Sequence, residues 1–123
     1  MSRILILIVG AALGSVGTLA GLANGQDAVT VSPELYNVRL ENDRVRVLEY
    51  RMGPGQTEPR HDHPPFVVYF LDDAIVRSTA ADGSTSESKV SKGDVSWRDT
   101  TTHTITNAGA TDIHALIVEP KAR

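Results

Sequence analysis

The chain contains no cysteine, which excludes disulfides, thiolate metal sites and thiol nucleophiles together. Any metal it holds must be bound through nitrogen and oxygen. No cluster of Lys or Arg stands anywhere, and the net charge is -3. Nucleic acid is therefore not an expected partner, because phosphate binding requires a local excess of positive charge. Beyond residue 25 no segment has an apolar period of 3.6, so a helical bundle is not expected. Internal repeats and low-complexity tracts are absent as well.

What is present, in 123 residues, is enough for one small domain. Apolar content of 41% and charged content of 22% are ordinary for a globular protein. The N-terminus stands apart. One charge, Arg3, precedes an apolar run from Ile4 to Ala23, followed by Ala23-Asn24-Gly25. This pattern predicts a secretory signal peptide over residues 1–25, with a retained membrane anchor as the alternative. Gly10, Gly14, Gly17 and Gly21 have the small-xxx-small spacing of packed membrane helices, although such residues are common in export signals too. Either reading places the folded part, residues 26–123, outside the cytoplasm: periplasmic, secreted, or anchored and facing outward. A domain of this size buries a limited core, so a homodimer is expected.

The remainder reads as strands and turns. Tyr36–Leu40 alternates, and Arg44–Met52 alternates again with Val45 and Val47 on one face and Arg46 and Leu48 on the other. Gly53-Pro54-Gly55 breaks the chain, and Phe66–Leu71 is a buried strand by composition. Asp82-Gly83 predicts a hairpin between Ala74–Ala80 and Ser84–Val90. Short strands follow at Val95–Trp97 and His103–Thr106, and a last one at Asp112–Glu119, while Gln26–Pro33 reads as a loose arm. Short strands at regular intervals mean a sandwich or a barrel.

The chemistry lies in PGQTEPRHDHPPFVVYF, residues 54–70. On a strand, His61 and His63 share a face about 6.6 Å apart along the chain, and Asp62 points the other way. Imidazoles so placed can converge on one metal ion. His103, in THTITN, is a candidate third ligand from another strand.

Gly55-x5-His61-x-His63, then Gly93-Asp94 and His103-x3-Asn107, resembles the two motifs of the cupin superfamily, over about residues 44–119. More narrowly, PGQTEPRHDHPPFVVYFL and HALIVE are similar to the small single-domain cupins labelled β-alanine degradation proteins. The resemblance implies an all-β double-stranded β-helix, or jelly roll, with a divalent metal (Fe, Mn, Zn, Ni or Cu) held by His61, His63 and His103. It leaves enzyme and binding protein both open, the former of oxygenase, isomerase or lyase type and acting on a small polar or carboxylate-bearing molecule. A vestigial site in a structural dimer is the third reading.

Two departures stand out. The glutamate usual after three or four intervening residues beyond the histidine pair is replaced by Val67 or Val68, or by Phe66 if the double proline hides a deletion. The Pro-x-Gly of the second motif is Arg98-Asp99-Thr100, which makes Arg98 either a solvated charge or an anchor for an anionic substrate. Glu49, Tyr69 and His114 are the candidates to replace the missing ligand, with Gln56 and Glu58 in the loop between. Whether His114 faces His103 depends on the register of a strand pair across the Asn107 turn. Trp97 and Tyr69 are expected in the core or the pocket wall. Neutral histidines are required for binding, so metal affinity is expected to fall below about pH 6.5.

Overall fold

In a computed structural model describing residues 26–122, the chain turns at Gly55, Gly83 and Gly93, all with φ between 78° and 91°. That region strains any residue with a Cβ. Nine strands lie among the described residues: β1 (Tyr36–Glu41), β2 (Val45–Met52), β3 (Thr57–His63), β4 (Phe66–Phe70), β5 (Ala74–Ala80), β6 (Thr85–Val90), β7 (Val95–Arg98), β8 (Thr101–Asn107) and β9 (Ile113–Pro120). They form a five-stranded sheet, β1-β2-β9-β4-β7, facing a four-stranded one, β3-β8-β5-β6. All ladders in both sheets are antiparallel. The Asp82-Gly83 hairpin forms as expected, with Thr79 opposite Thr85.

The two sheets contribute different chemistry to the interior. The five-stranded sheet turns inward an apolar set that includes Leu48, Tyr50, Met52, Phe66, Val68, Ile113, Ala115 and Ile117, all buried. Each large member contributes about 1.5–3 kcal/mol by leaving water. The four-stranded sheet turns inward Glu58, His61 and His63 beside Ile105. Stability comes mainly from one wall, and the polar groups are mounted on the other.

The alternation of β2 forms as expected, with Leu48, Tyr50 and Met52 inward and Val45, Val47 and Glu49 outward. Other expectations are corrected. β8 and β9 do not pair across the Asn107 turn. β8 lies between β3 and β5, and β9 between β2 and β4, so the chain crosses from one sheet to the other. The Asn107 amide drives that crossing: Nδ2 donates to the Met52 and Thr111 carbonyls, and Oδ1 accepts from Gly109 N–H. Trp97 and Tyr69 belong to neither core nor pocket wall; they point outward, 54% and 39% exposed.

The segment from Gln26 to Pro33 is not loose. It forms a one-turn helix α1 (Ala28–Val31), then a 3-10 turn Pro33–Leu35, and it buries Ala28 and Ser32. Asp27 makes a parallel bridge to Asp62 on β3 and an ion pair to Arg46 on β2 at 2.8 Å. The arm thereby closes the seam between the sheets on the β2–β3 side. Among the described residues no helix is long and apolar enough to cross a membrane. The expected signal peptide or anchor, residues 1–25, lies outside the described residues.

Candidate metal centre

β3 and β8 pair so that His61 lies opposite His103, with His63 opposite Thr101. The strand period of two sends His61 and His63 to one face, and the ladder adds His103 beside them. The three sequence-predicted histidines therefore meet. One ring nitrogen from each lies within 4.8 Å of the others. The ring centroids stand 4.6 Å apart for His61–His103, 4.8 Å for His61–His63 and 5.4 Å for His63–His103, all edge-on. Asp62 points away, as expected, and accepts from the Thr102 hydroxyl.

The proton positions follow from the neighbours. His61 Nδ1 lies 2.7 Å from the Pro59 carbonyl, which can only accept. Nδ1 therefore carries the hydrogen and Nε2 the lone pair. That Nε2 is buried and has no partner among the described residues, and the same holds for His103 Nε2. On the far side of His103, Nδ1 lies 3.4 Å from Ser78 Oγ. His63 turns Nδ1 toward Glu119 Oε2 at 3.6 Å, and packs its ring on Phe66 at 4.7 Å.

Burial in this apolar-backed site pushes His61 down to about 4. His103 falls to about 3, by burial first and then by the neighbouring His61 and His63. Both rings are neutral donors at ordinary pH. The expectation that protons compete for these ligands from about pH 6.5 is thus corrected: for His61 and His103 that competition begins lower. Buried nitrogens without partners cost about 1–3 kcal/mol each, and a cation would relieve that cost. Three inward imidazoles without thiolate suit zinc, copper, iron or nickel. The residues therefore fit the metal that the resemblance implies.

The candidate replacements for the missing glutamate do not join the cluster. Glu49 and His114 face outward and pair with each other at 2.7 Å, with Arg51 also against His114. The His114 contact holds the Glu49 carboxyl below its usual range. Tyr69 is on the outer face, and Gln56 caps the turn at Gly53 N–H. The positions after the histidine pair are apolar, as read: Phe66 and Val68 point inward.

Two carboxylates that sequence reasoning did not assign to the site lie behind the histidines. Glu58 is on β3, not in a loop, and is fully buried. Its Oε2 accepts from the Tyr36 hydroxyl at 2.7 Å and its Oε1 from Tyr50 at 2.9 Å. Oε2 also stands 3.4 Å from His61 Nδ1. Burial raises the Glu58 carboxyl, against the lowering effect of the two tyrosines, and burial with the Glu58 charge drives both tyrosines far upward. Glu119 is buried at the end of β9, and its Oε1 accepts from Arg46 Nε at 2.7 Å. The signal for Glu58 was hidden by a bulge. Pro59 and Arg60 together oppose the single residue Thr104, which brings Glu58 and His61 to the same face.

Above the histidines lies a cavity of about 350 Å³. Its walls are Phe66, Val68 and Ile117 on one side and Ile105 and Val76 on the other, and Arg98 lines its rim.

No family profile and no curated protein matches the chain. Solved structures do. A cupin domain from Bordetella pertussis Tohama I superposes with TM-score 0.66 at 26% identity, over 71% of this chain and 92% of that one. An RmlC-like cupin family protein with a double-stranded β-helix fold, from Methanocaldococcus jannaschii, gives 0.58 at 12% identity, over 70% and 78%. The polyketide cyclase RemF from Streptomyces resistomycificus gives 0.55 at 21% identity, over 72% and 65%. At such identities the last two speak for the fold alone. None of these matches supports the narrower likeness to β-alanine degradation proteins. The facing sheets, the paired His61 and His103, and these neighbours together make the chain a small member of the cupin superfamily.

Proposed function

We propose that the protein binds one divalent metal ion through His61, His63 and His103, and that a small molecule enters the cavity above it. The observation that carries this reading is the unpartnered, buried Nε2 of both His61 and His103 within one tight cluster. A metal bound there would supply Lewis acidity to an oxygen of the small molecule. The chain's own residues orient the ligands: Pro59 O fixes the His61 tautomer, Glu119 faces His63, and Ser78 lies against His103. Such outer contacts are how metal-binding histidines are normally held.

Non-catalytic binding of a metal or small ligand is the second reading, and one observation favours it. Both Glu58 oxygens already accept from tyrosine hydroxyls, so the carboxylate beside His61 is not free to take a proton. Metal analysis of the full chain beside His61→Ala and His103→Ala tests the site. Metal in the wild type and loss in both variants supports it. No metal in any, even after reconstitution, would refute it and leave a vestigial site.

Export and dimerisation belong to the same proposal. The apolar run after Arg3 supports export, and the N-terminal mass of the mature protein tests it. For a homodimer, the outer face of the five-stranded sheet offers a cross-strand row, Leu40–Val47–Val118–Val67–Trp97, set by the register. A second copy would cover it, and Val118→Lys should then shift the sedimentation coefficient to that of a monomer.

A further inference from the structure

The arm closes one seam between the sheets; the opposite seam is different. β6 and β7 are the edge strands there, they do not pair with each other, and both are exposed. The register sends Ser86 and Ser88 of β6 and Ser96 and Arg98 of β7 to the inner side. Ser86 lies opposite Ser78, Ser96 opposite Val68, and Arg98 opposite Phe66, which itself packs on His63. All line the cavity. The opening is therefore a band of hydroxyls with one guanidinium at the histidine end and one carboxylate, Asp94, beyond the far end of β7.

Arg98 is the only Arg or Lys lining the cavity. Among the described residues its side chain has no ion pair or hydrogen bond. The acids near it in sequence are engaged elsewhere: Asp99 accepts from Trp97 Nε1, and Asp94 from Ser91 N–H. The hydroxyls of Ser86, Ser88 and Ser96 likewise have no hydrogen-bond partner among the described residues. An unengaged guanidinium ringed by free hydroxyls is complementary to a carboxylate, which it can bind by two parallel hydrogen bonds.

We infer that Arg98, with the serine hydroxyls of the β6–β7 opening, forms a carboxylate subsite, and that the molecule admitted to the cavity is a small organic acid. Its carboxylate is held at the opening, its apolar body lies against Val68, Phe70 and Val76, and a second oxygen reaches toward the histidines. The last element rests on the metal-binding reading; the carboxylate subsite does not. The cavity, about 350 Å³, is at the lower end of the range for ligand pockets. That restricts the acid to a short one.

The probe pair is 2-hydroxyisovalerate and its primary amide, which differ in charge and little in shape. Calorimetric titration of the full chain, as purified and after treatment with a chelator, reads both. A charged hydrogen bond at a partly exposed site predicts about tenfold tighter binding of the acid. In Arg98→Met the acid should fall to the level of the amide while metal content stays that of the wild type, and Arg98→Lys should recover part of the preference. Equal binding of acid and amide, no acid binding at millimolar concentration, or a preference that survives Arg98→Met would each overturn the inference. An acid preference that needs Arg98 in the chelator-treated protein, with no metal found in the untreated one, would uphold the subsite and refute the metal reading separately.

Discussion

Lowering the pH should unfold the metal-free protein well before ordinary acid denaturation, and the histidine cluster should be the cause. In the folded chain His61 is pushed down to about 4 and His103 to about 3; in the unfolded chain both titrate near 6.5. Between those values the unfolded state binds more protons than the folded one, so stability falls as pH falls through that window. From pH 7 to pH 5 each ring should remove about 2 kcal/mol, or about 4 kcal/mol together. That is a large part of the 5–15 kcal/mol available to a typical small domain. Glu58 acts in the opposite sense, since its raised carboxyl takes up a proton on folding. It is present in both proteins compared, so the difference between them reports the histidines together with the 3.4 Å contact of His61 to Glu58. The assay is urea unfolding of chelator-treated protein at pH 7 and pH 5, for the wild type and for His61→Gln/His103→Gln. The wild type should lose about 4 kcal/mol more than the variant across that interval. Equal losses in the two proteins would refute the claim that burial holds these rings neutral.

Other perturbations test the supports around the site. Arg46→Ala should cost about 3–5 kcal/mol in chemical denaturation, because it strands the buried Glu119 carboxylate; a loss under about 1 kcal/mol would show that water replaces the guanidinium. Tyr50→Phe should cost about 1–3 kcal/mol by removing one donor from Glu58. The same change should cost less in a Glu58→Gln background, and equal costs would mean the two residues are not coupled. Asn107→Ala removes three hydrogen bonds at the crossing between sheets and should lower stability by about 2–4 kcal/mol, read as a fall in melting temperature.

Much of this was legible in the sequence because it depends on short-range rules. The apolar strand at Phe66–Phe70, the Asp-Gly hairpin and the two histidines on one face follow in turn from composition, a turn preference and a period of two. What was not legible depended on a break in that period or on a partner far along the chain. Glu58 and Glu49 show both failures. A separation of three puts Glu58 and His61 on opposite faces of a regular strand, and only the bulge at Pro59–Arg60 reverses that. Glu49 shares parity with Val45 and Val47, which look like core residues but belong to an uncovered sheet face. His114 would face His103 only if the strands beside Asn107 formed a hairpin, whereas its cross-strand neighbour on β2 is Arg51. Sequence adjacency favours hairpins; the jelly roll sends adjacent strands to different sheets.

The arm that packs on β3 has a consequence for solubility. β3 is an edge strand, and it is the one that carries two of the ligands. An uncovered edge is a template on which a second copy can add its own strand. Pro59 blunts part of this edge by offering no N–H, and Arg60 adds a charge. Near the histidines neither device applies; instead the Asp62 N–H donates to the Gln26 carbonyl and Asp27 continues the pairing. A chain trimmed to start at Ser32 would keep every ligand and lose that cover. Its failure would be self-association through the histidine-bearing strand, seen as aggregates growing with protein concentration.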